Sequence, residues 1–213
     1  MKRFQIFSLV ILLCLPPALL SSQVHGTPAA MQSSYGEKIH IEGVPNAGKI
    51  DQHLYRGAQP KLLAVDELKK LGVTTVVDLR SEDPQAVTRE RAQVQAQGLR
   101  FVSIPIGGFS APTNQQVIQF LEIFRDHPDE IVFVHCHYGE DRTGVFVASY
   151  RMTMEHWPAL QAENEMDFFG FHRHWQREMK DFVRDYPARL SSAPDLANFQ
   201  KTLTSAGPLP LVH

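Results

Sequence analysis

Residues 131–154 read IVFVHCHYGEDRTGVFVASYRMTM. Ile131-Val132-Phe133-Val134-His135 is a short β-branched and aromatic run suited to a buried strand, and Val145 to Met154 is an apolar helical stretch. Between them lies a tight loop, Cys136-His137-Tyr138-Gly139-Glu140-Asp141-Arg142-Thr143-Gly144. A strand, a glycine-containing loop and a helix N-terminus in that order bring successive backbone N–H groups to one point, with the helix dipole behind them. Such a point binds an anion.

The flanking sequence supplies the rest of the fold. Thr74 to Leu79 and Phe101 to Ile104 are further short strands, and His53-Leu54-Tyr55-Arg56 is another, ended by Gly57. Helical patterns separate them. Leu62, Val65, Leu68 and Leu71 recur at three-residue spacing and stop at Gly72. Pro84 to Gln97 is a polar helix closed by Gly98. Thr113-Asn114-Gln115-Gln116 has the spacing of a capping box ahead of Val117, Phe120, Leu121 and Phe124. Helices over 143–154, 158–169 and 172–182 complete the set. Strands alternating with helices predict an α/β domain whose central, mostly parallel sheet is flanked by helices, with ligands at the carboxyl ends of the strands.

The chain has 213 residues, 21 Lys and Arg against 23 Asp and Glu, and 43% hydrophobic residues. This is the composition of one soluble domain with appendages. It leaves no basic excess for a nucleic-acid backbone, so no nucleic-acid partner is expected. Met1-Lys2-Arg3, the apolar run Phe4 to Leu15, Pro16-Pro17 and the polar stretch after them read as a secretory signal peptide. The run is too short for a spanning helix, and no stable membrane insertion is expected after cleavage. The predicted organisation is a signal peptide over 1–26, an N-terminal tail over 27–49, a main domain over 50–187 and a C-terminal tail over 188–213 with room for one short helix. The mature chain is then secreted or periplasmic. Removing 1–26 takes away Lys2, Arg3 and Cys14 and no acid. Nineteen basic residues (21 less 2) remain against 23 acidic ones, and Cys136 is the one cysteine left. It has no internal disulfide partner, so its place in the loop calls for another explanation.

The loop's residue types fit one reaction. A thiol at the base of a ring of N–H donors is stabilised as the thiolate, the nucleophilic form. Arg142 offers a planar fork matched to two phosphoryl oxygens. Gly139 permits the tight backbone, and Gly144 lets the helix approach the strand closely. Thr143 has a hydroxyl to offer the sulfur when the intermediate breaks down. The backbone of His137, Tyr138, Gly139, Glu140 and Asp141 faces the phosphate. The implied chemistry is phosphoryl transfer to sulfur, then hydrolysis.

His-Cys, five residues and Arg-Thr-Gly resemble the signature of the cysteine-dependent protein tyrosine and dual-specificity phosphatase superfamily, in its single-domain bacterial form. Leu54-Tyr55-Arg56-Gly57-Ala58-Gln59-Pro60, Val77-Asp78-Leu79-Arg80-Ser81-Glu82, Glu165-Met166 and Gly170-Phe171-His172 agree with that group, so the resemblance spans roughly residues 50 to 185. It implies a dual-specificity-phosphatase-like fold, no cofactor, and a phosphorylated protein or small phosphate ester as partner. Family members protonate the leaving oxygen with an aspartic acid on a loop upstream of the cysteine. The corresponding stretch here, residues 104–114, contains no carboxylate. Asp141 is the nearest candidate acid or water-positioning group, with Glu140 behind it, but is first expected to hold the loop by accepting backbone N–H bonds. A distant segment such as Asp126 to Glu130 is the other source of an acid. The acidic Glu140 and Asp141 disfavour highly charged polyphosphates and favour phosphotyrosine-type or small monophosphate esters. The alternatives are an inositol phosphate or phosphoinositide phosphatase, and a phosphate-binding pseudophosphatase. His135 is expected to orient the loop. Arg56 and Arg80 are expected to pair with Asp78, Glu82 or Glu90, the alternative being that they border the pocket, and Glu165 is expected to lie on a helix surface or support the loop. The ten histidines show no zinc spacing, and no metal is expected.

Overall fold

The structure is a computed structural model, and it describes residues 35–61, 63–172 and 174–206. The expected signal peptide, Leu62 and the last seven residues lie outside the described residues. The strands are β1 (Glu37–Lys38), β2 (Gly48–Lys49), β3 (Leu54–Ala58), β4 (Thr75–Asp78), β5 (Arg100–Ser103) and β6 (Val132–Cys136). They form one mixed six-stranded sheet in the order β1-β2-β3-β6-β4-β5. The four strands expected from sequence are the parallel ones, and β1 and β2 add an antiparallel edge on β3. These two-residue edge strands are too short to show the alternation by which a strand is recognised.

The helices are α1 (Ala64–Lys70), α2 (Pro84–Ala96), α3 (Asn114–Asp126), α4 (Asp141–Met154), α5 (Ala159–Phe168), α6 (Arg177–Ser192) and α7 (Pro194–Ala206). Strand residues pointing to opposite faces divide the core in two. Val76 and Phe133 pack with Val65, Leu68 and Val94 of α1 and α2. Val77, Val132 and Val134 pack with residues from α3 to α7. The α4 helix is buried nearly all round, from Arg142 to Thr153. The expected capping box forms: Thr113 accepts from Gln116 N–H, and the Gln116 side chain accepts from Thr113 N–H.

Both predicted tails need correction. Residues 35–49 belong to the domain, with Ile41, Val44 and Ala47 buried beside β3. At the other end α6 starts five residues later than its pattern indicates and runs on through Pro187 to Ser192. The α7 helix then buries Leu196 and Phe199 in the larger core. These residues are sparse and mixed with polar ones, so their apolar faces emerge only when they meet the rest of the chain.

Candidate active site

The carboxyl ends of β3, β4, β5 and β6 face the same side, because all four run parallel. Cys136 ends β6 opposite Ala58 of β3 and is 3% exposed. The next four residues turn directly into α4.

The carbonyls of this turn are tied to the protein on one side. His135 Nδ1 lies 3.2 Å from the Cys136 carbonyl oxygen. Gln59 N–H donates to His137 O at 3.3 Å. Gly139 O accepts from Arg56 Nη2 at 2.5 Å and from Asn46 Nδ2 at 3.0 Å. Glu140 O accepts from Gly144 N–H at 2.9 Å, with Arg56 Nη2 at 3.5 Å. In a trans peptide the N–H points opposite to its C=O. The N–H groups of His137, Tyr138, Glu140 and Asp141 are therefore turned to the other side of the loop, as an anion nest requires.

Gly139 is needed twice over. Its φ is +70°, a left-handed value, and a Cβ there would overlap the Gly57 backbone and sit 2.5 Å from Ala58 N. Gly144 rests against Met166 of α5, its nearest side-chain atom 3.3 Å from where a Cβ would stand.

Arg56 is fully buried beneath the loop and lies over the Phe169 ring at 4.2 Å. Burial lowers its pKa to about 10, against the opposing charges of Glu165, Cys136 and Glu140. It supports the loop through carbonyls, not through the carboxylates expected from sequence. Arg80 does pair as expected: it binds Asp78 through Nε and Nη2 at 2.9 and 2.8 Å, and Glu90 at 2.5 Å. Glu90 Oε1 in turn lies 2.7 Å from His135 Nε2. Asp78, Glu90 and His135 bring ligand-type atoms within 4.8 Å of one another. The Arg80 guanidinium already bonds both carboxylates, so the cluster fits a buried ion-pair network better than a metal site. Glu165 is buried, not on the surface. It pairs with Arg151 at 2.7 Å and accepts from Gly36 N–H.

Among the expected site residues, Thr143 is fully buried and its hydroxyl has no hydrogen-bond partner among the described residues. His137 and Tyr138 are exposed and stack edge to face at 4.4 Å. They border a cleft of about 680 Å³ that includes Lys61 and Arg89 but not Cys136 or Arg142. Asp141 accepts from His172 N–H at 2.8 Å and from Gln176 Nε2 at 3.1 Å. Gln176 Nε2 also donates to Gly108 O, which ties Gln176 to the 104–114 segment. Asp141 thus serves a latch between loops, in part by accepting a backbone N–H. Glu140 lies against Gly170 and 3.5 Å from His172 Nδ1, and its pKa is raised, chiefly by burial.

Arg142 is 7% exposed, and Glu82 holds its fork. Nη1 and Nη2 donate to the two oxygens of Glu82 at 2.7 and 2.8 Å. The hydrogen bond from Arg142 holds the Glu82 carboxyl down at about 2. The Arg142 pKa is raised: burial lowers it, but the Glu82 hydrogen bond and the charges of Cys136, Glu82 and Asp78 outweigh burial. Sequence reading missed Glu82 as a site residue because it sits 60 positions from Arg142. It missed Asn46 because it lies in the stretch read as a tail. Arg142-like cations were visible in the motif, but nothing in the local pattern says which carboxylate meets them.

This geometry has counterparts of known type. Residues 39–185 match the family described as DSP-PTPase phosphatase fused to NAD+ kinase. The dual specificity protein phosphatase TpbA of Pseudomonas aeruginosa strain UCBPP-PA14 is 28% identical over 153 residues, covering 72% of this chain and 67% of TpbA. The crystal structure of P. aeruginosa TpbA has the same fold, with TM-score 0.62 at 24% identity over 81% of this chain and 98% of that one. A Cys-to-Ser form of TpbA has been solved in complex with pTyr, with TM-score 0.62, 23% identity and coverage of 82% and 98%. The chain belongs to the family of the DSP-PTPase phosphatase fused to NAD+ kinase, and is a cysteine-dependent enzyme of the tyrosine and dual-specificity phosphatase type.

Proposed function

We propose that this enzyme hydrolyses phosphate monoesters of the phosphotyrosine type through a phosphocysteine on Cys136, and that it does so outside the cytoplasm. The observation that carries the reading is the loop between β6 and α4. Its carbonyls are bound by Arg56, Asn46, Gln59 and His135 side chains or backbone, and its N–H groups are left for an anion, with Cys136 at the base and Arg142 at the end.

In this mechanism the Cys136 thiolate attacks phosphorus while N–H groups from 137 to 141 and the Arg142 fork hold the phosphoryl oxygens. Arg56 and Arg142 both lie close enough to feel the charge of the Cys136 thiolate. The buried hydroxyl of Thr143 has no competing partner and is available to donate to the departing sulfur. Water then releases inorganic phosphate. The pTyr complex of TpbA supports an aryl phosphate as substrate class. Export rests on residues 1–26, and a mature chain recovered outside the cytoplasm with its N-terminus near residue 27 is the expected finding.

The test is metal-independent, vanadate-sensitive hydrolysis of an aryl phosphate, run beside phosphopeptides and inositol phosphates. Cys136→Ser is expected to abolish turnover, and a phosphocysteine on Cys136 to be trapped at low pH. Activity that survives the substitution rejects the reading, and a preference for inositol phosphates rejects its substrate class.

A further inference from the structure

Phosphoryl transfer from a poor leaving group needs a proton donor, and neither the 104–114 segment nor Asp141 supplies an available one. The segment contains no carboxylate. Asp141 is engaged by His172 and Gln176. Glu140 lies against Gly170 and His172. Glu82 is differently placed. Both its oxygens lie on the Arg142 fork, its side chain is 45% exposed, and it also accepts from the backbone N–H of Ser81. The segment is pinned by Ser81 Oγ donating to Ile106 O at 3.0 Å, while Arg142 Nη1 lies 3.4 Å from the same carbonyl. Glu82 therefore stands at the meeting point of the phosphate clamp and the segment where relatives carry their acid.

Two carboxylate oxygens on a guanidinium fork occupy the positions that two phosphoryl oxygens would take. One fork cannot hold both. We propose that Glu82 is the proton donor to the leaving oxygen, kept on Arg142 in the resting enzyme and released when the substrate's phosphoryl group takes the fork. The inference rests on the phosphocysteine mechanism above.

Release also prepares the acid. On Arg142 the Glu82 carboxyl stays ionised down to about pH 2 and is no donor at neutral pH. Once the phosphoryl dianion takes the fork, Glu82 loses its hydrogen-bond donor and gains a negative neighbour. Both changes favour the protonated carboxyl. In the first step the Sγ–P bond forms and the P–O bond breaks. Its electron pair goes to the leaving oxygen, which takes the Glu82 proton. In the second step the Glu82 carboxylate takes a proton from the attacking water as the P–S bond breaks, and the electron pair returns to Cys136.

The test has a binding arm and a kinetic arm. In a Cys136→Ser background, Glu82→Gln is expected to bind inorganic phosphate about two- to fivefold more tightly by calorimetry, because a competing ion pair is gone. In the active chain, Glu82→Gln is expected to lose about 10² to 10⁴ in kcat on an alkyl phosphate and far less on p-nitrophenyl phosphate. Glu82→Asp, which keeps a carboxyl, should recover part of the alkyl activity. Weaker phosphate binding, or equal losses on the two esters, would overturn the proposal and leave Glu82 as a positioning residue for Arg142. Absence of Cys136-dependent turnover in the unmodified chain would overturn the phosphatase mechanism as well, and is told apart by appearing without any change at Glu82.

Discussion

Gly139 concentrates the demands that the loop makes on a single residue. It must take a left-handed φ of +70° and leave no room between itself and the Gly57–Ala58 backbone. The conformational cost of a side chain there is about 1–2 kcal/mol, and the overlap with backbone adds to it. Gly139→Ala is therefore expected to move the loop, lower the melting temperature and reduce kcat/KM by about 10² or more, the loss expected of misplaced reacting groups. Steady-state kinetics beside thermal melting would show both, and unchanged kinetics would mean that the loop tolerates a displaced Gly139. The glycine's turn role is legible from the loop, whereas its clash with β3 needs the sheet to be assembled.

At the scale of elements, β3 and the β6–α4 turn are joined through Arg56. The guanidinium has Nη2 on two loop carbonyls, while Nε and Nη1 have no hydrogen-bond partner among the described residues. A buried cation with unsatisfied nitrogens is a poor stabiliser, because desolvation opposes the bonds it makes. Arg56→Met is expected to hold or raise the melting temperature while KM for an aryl phosphate rises about tenfold, as the loop loses a charge-assisted bond. A fall in stability with unchanged KM would show that Arg56 serves packing alone. The α7 helix makes the opposite case. Leu196 is fully buried in the larger core, so Leu196→Ala should cost about 2–5 kcal/mol in chemical denaturation and leave KM unaltered. A negligible loss would indicate that α7 is only loosely docked.

The molecule as a whole carries an ionisation at the end of the sheet away from the site. Asp51 caps the start of β3 through His53 and Leu54 N–H and accepts from Tyr150 OH at 2.7 Å. Glu155, after α4, has its pKa raised to about 7 by burial, with Arg151 opposing and Asp51 adding to the rise. A carboxyl with a raised pKa binds its proton more tightly when folded. Its contribution is fully present below the unfolded value near 4.5 and is lost as pH rises through about 7. Melting temperature is expected to fall from pH 5 to 8, and Glu155→Gln should flatten that slope. An unchanged slope would assign it to other groups. This pairing joins residues 51 and 155, far apart in sequence, and no local pattern announces it.

The run from Ile131 to Met154 determined by itself that a strand, an anion-binding loop and a helix follow one another, because each depends on neighbours only a few residues away. The same is true of the parallel strands and of the Thr113 capping box. What only the tertiary structure decided is which distant groups meet them: Asn46 and Arg56 on Gly139, His135 on Glu90, and Glu82 on Arg142. It also decided that residues 35–49 and α7 belong to the domain. Periodicity reports the face an element will bury, but the partner of a buried charge is chosen by which chain segments the sheet order brings together.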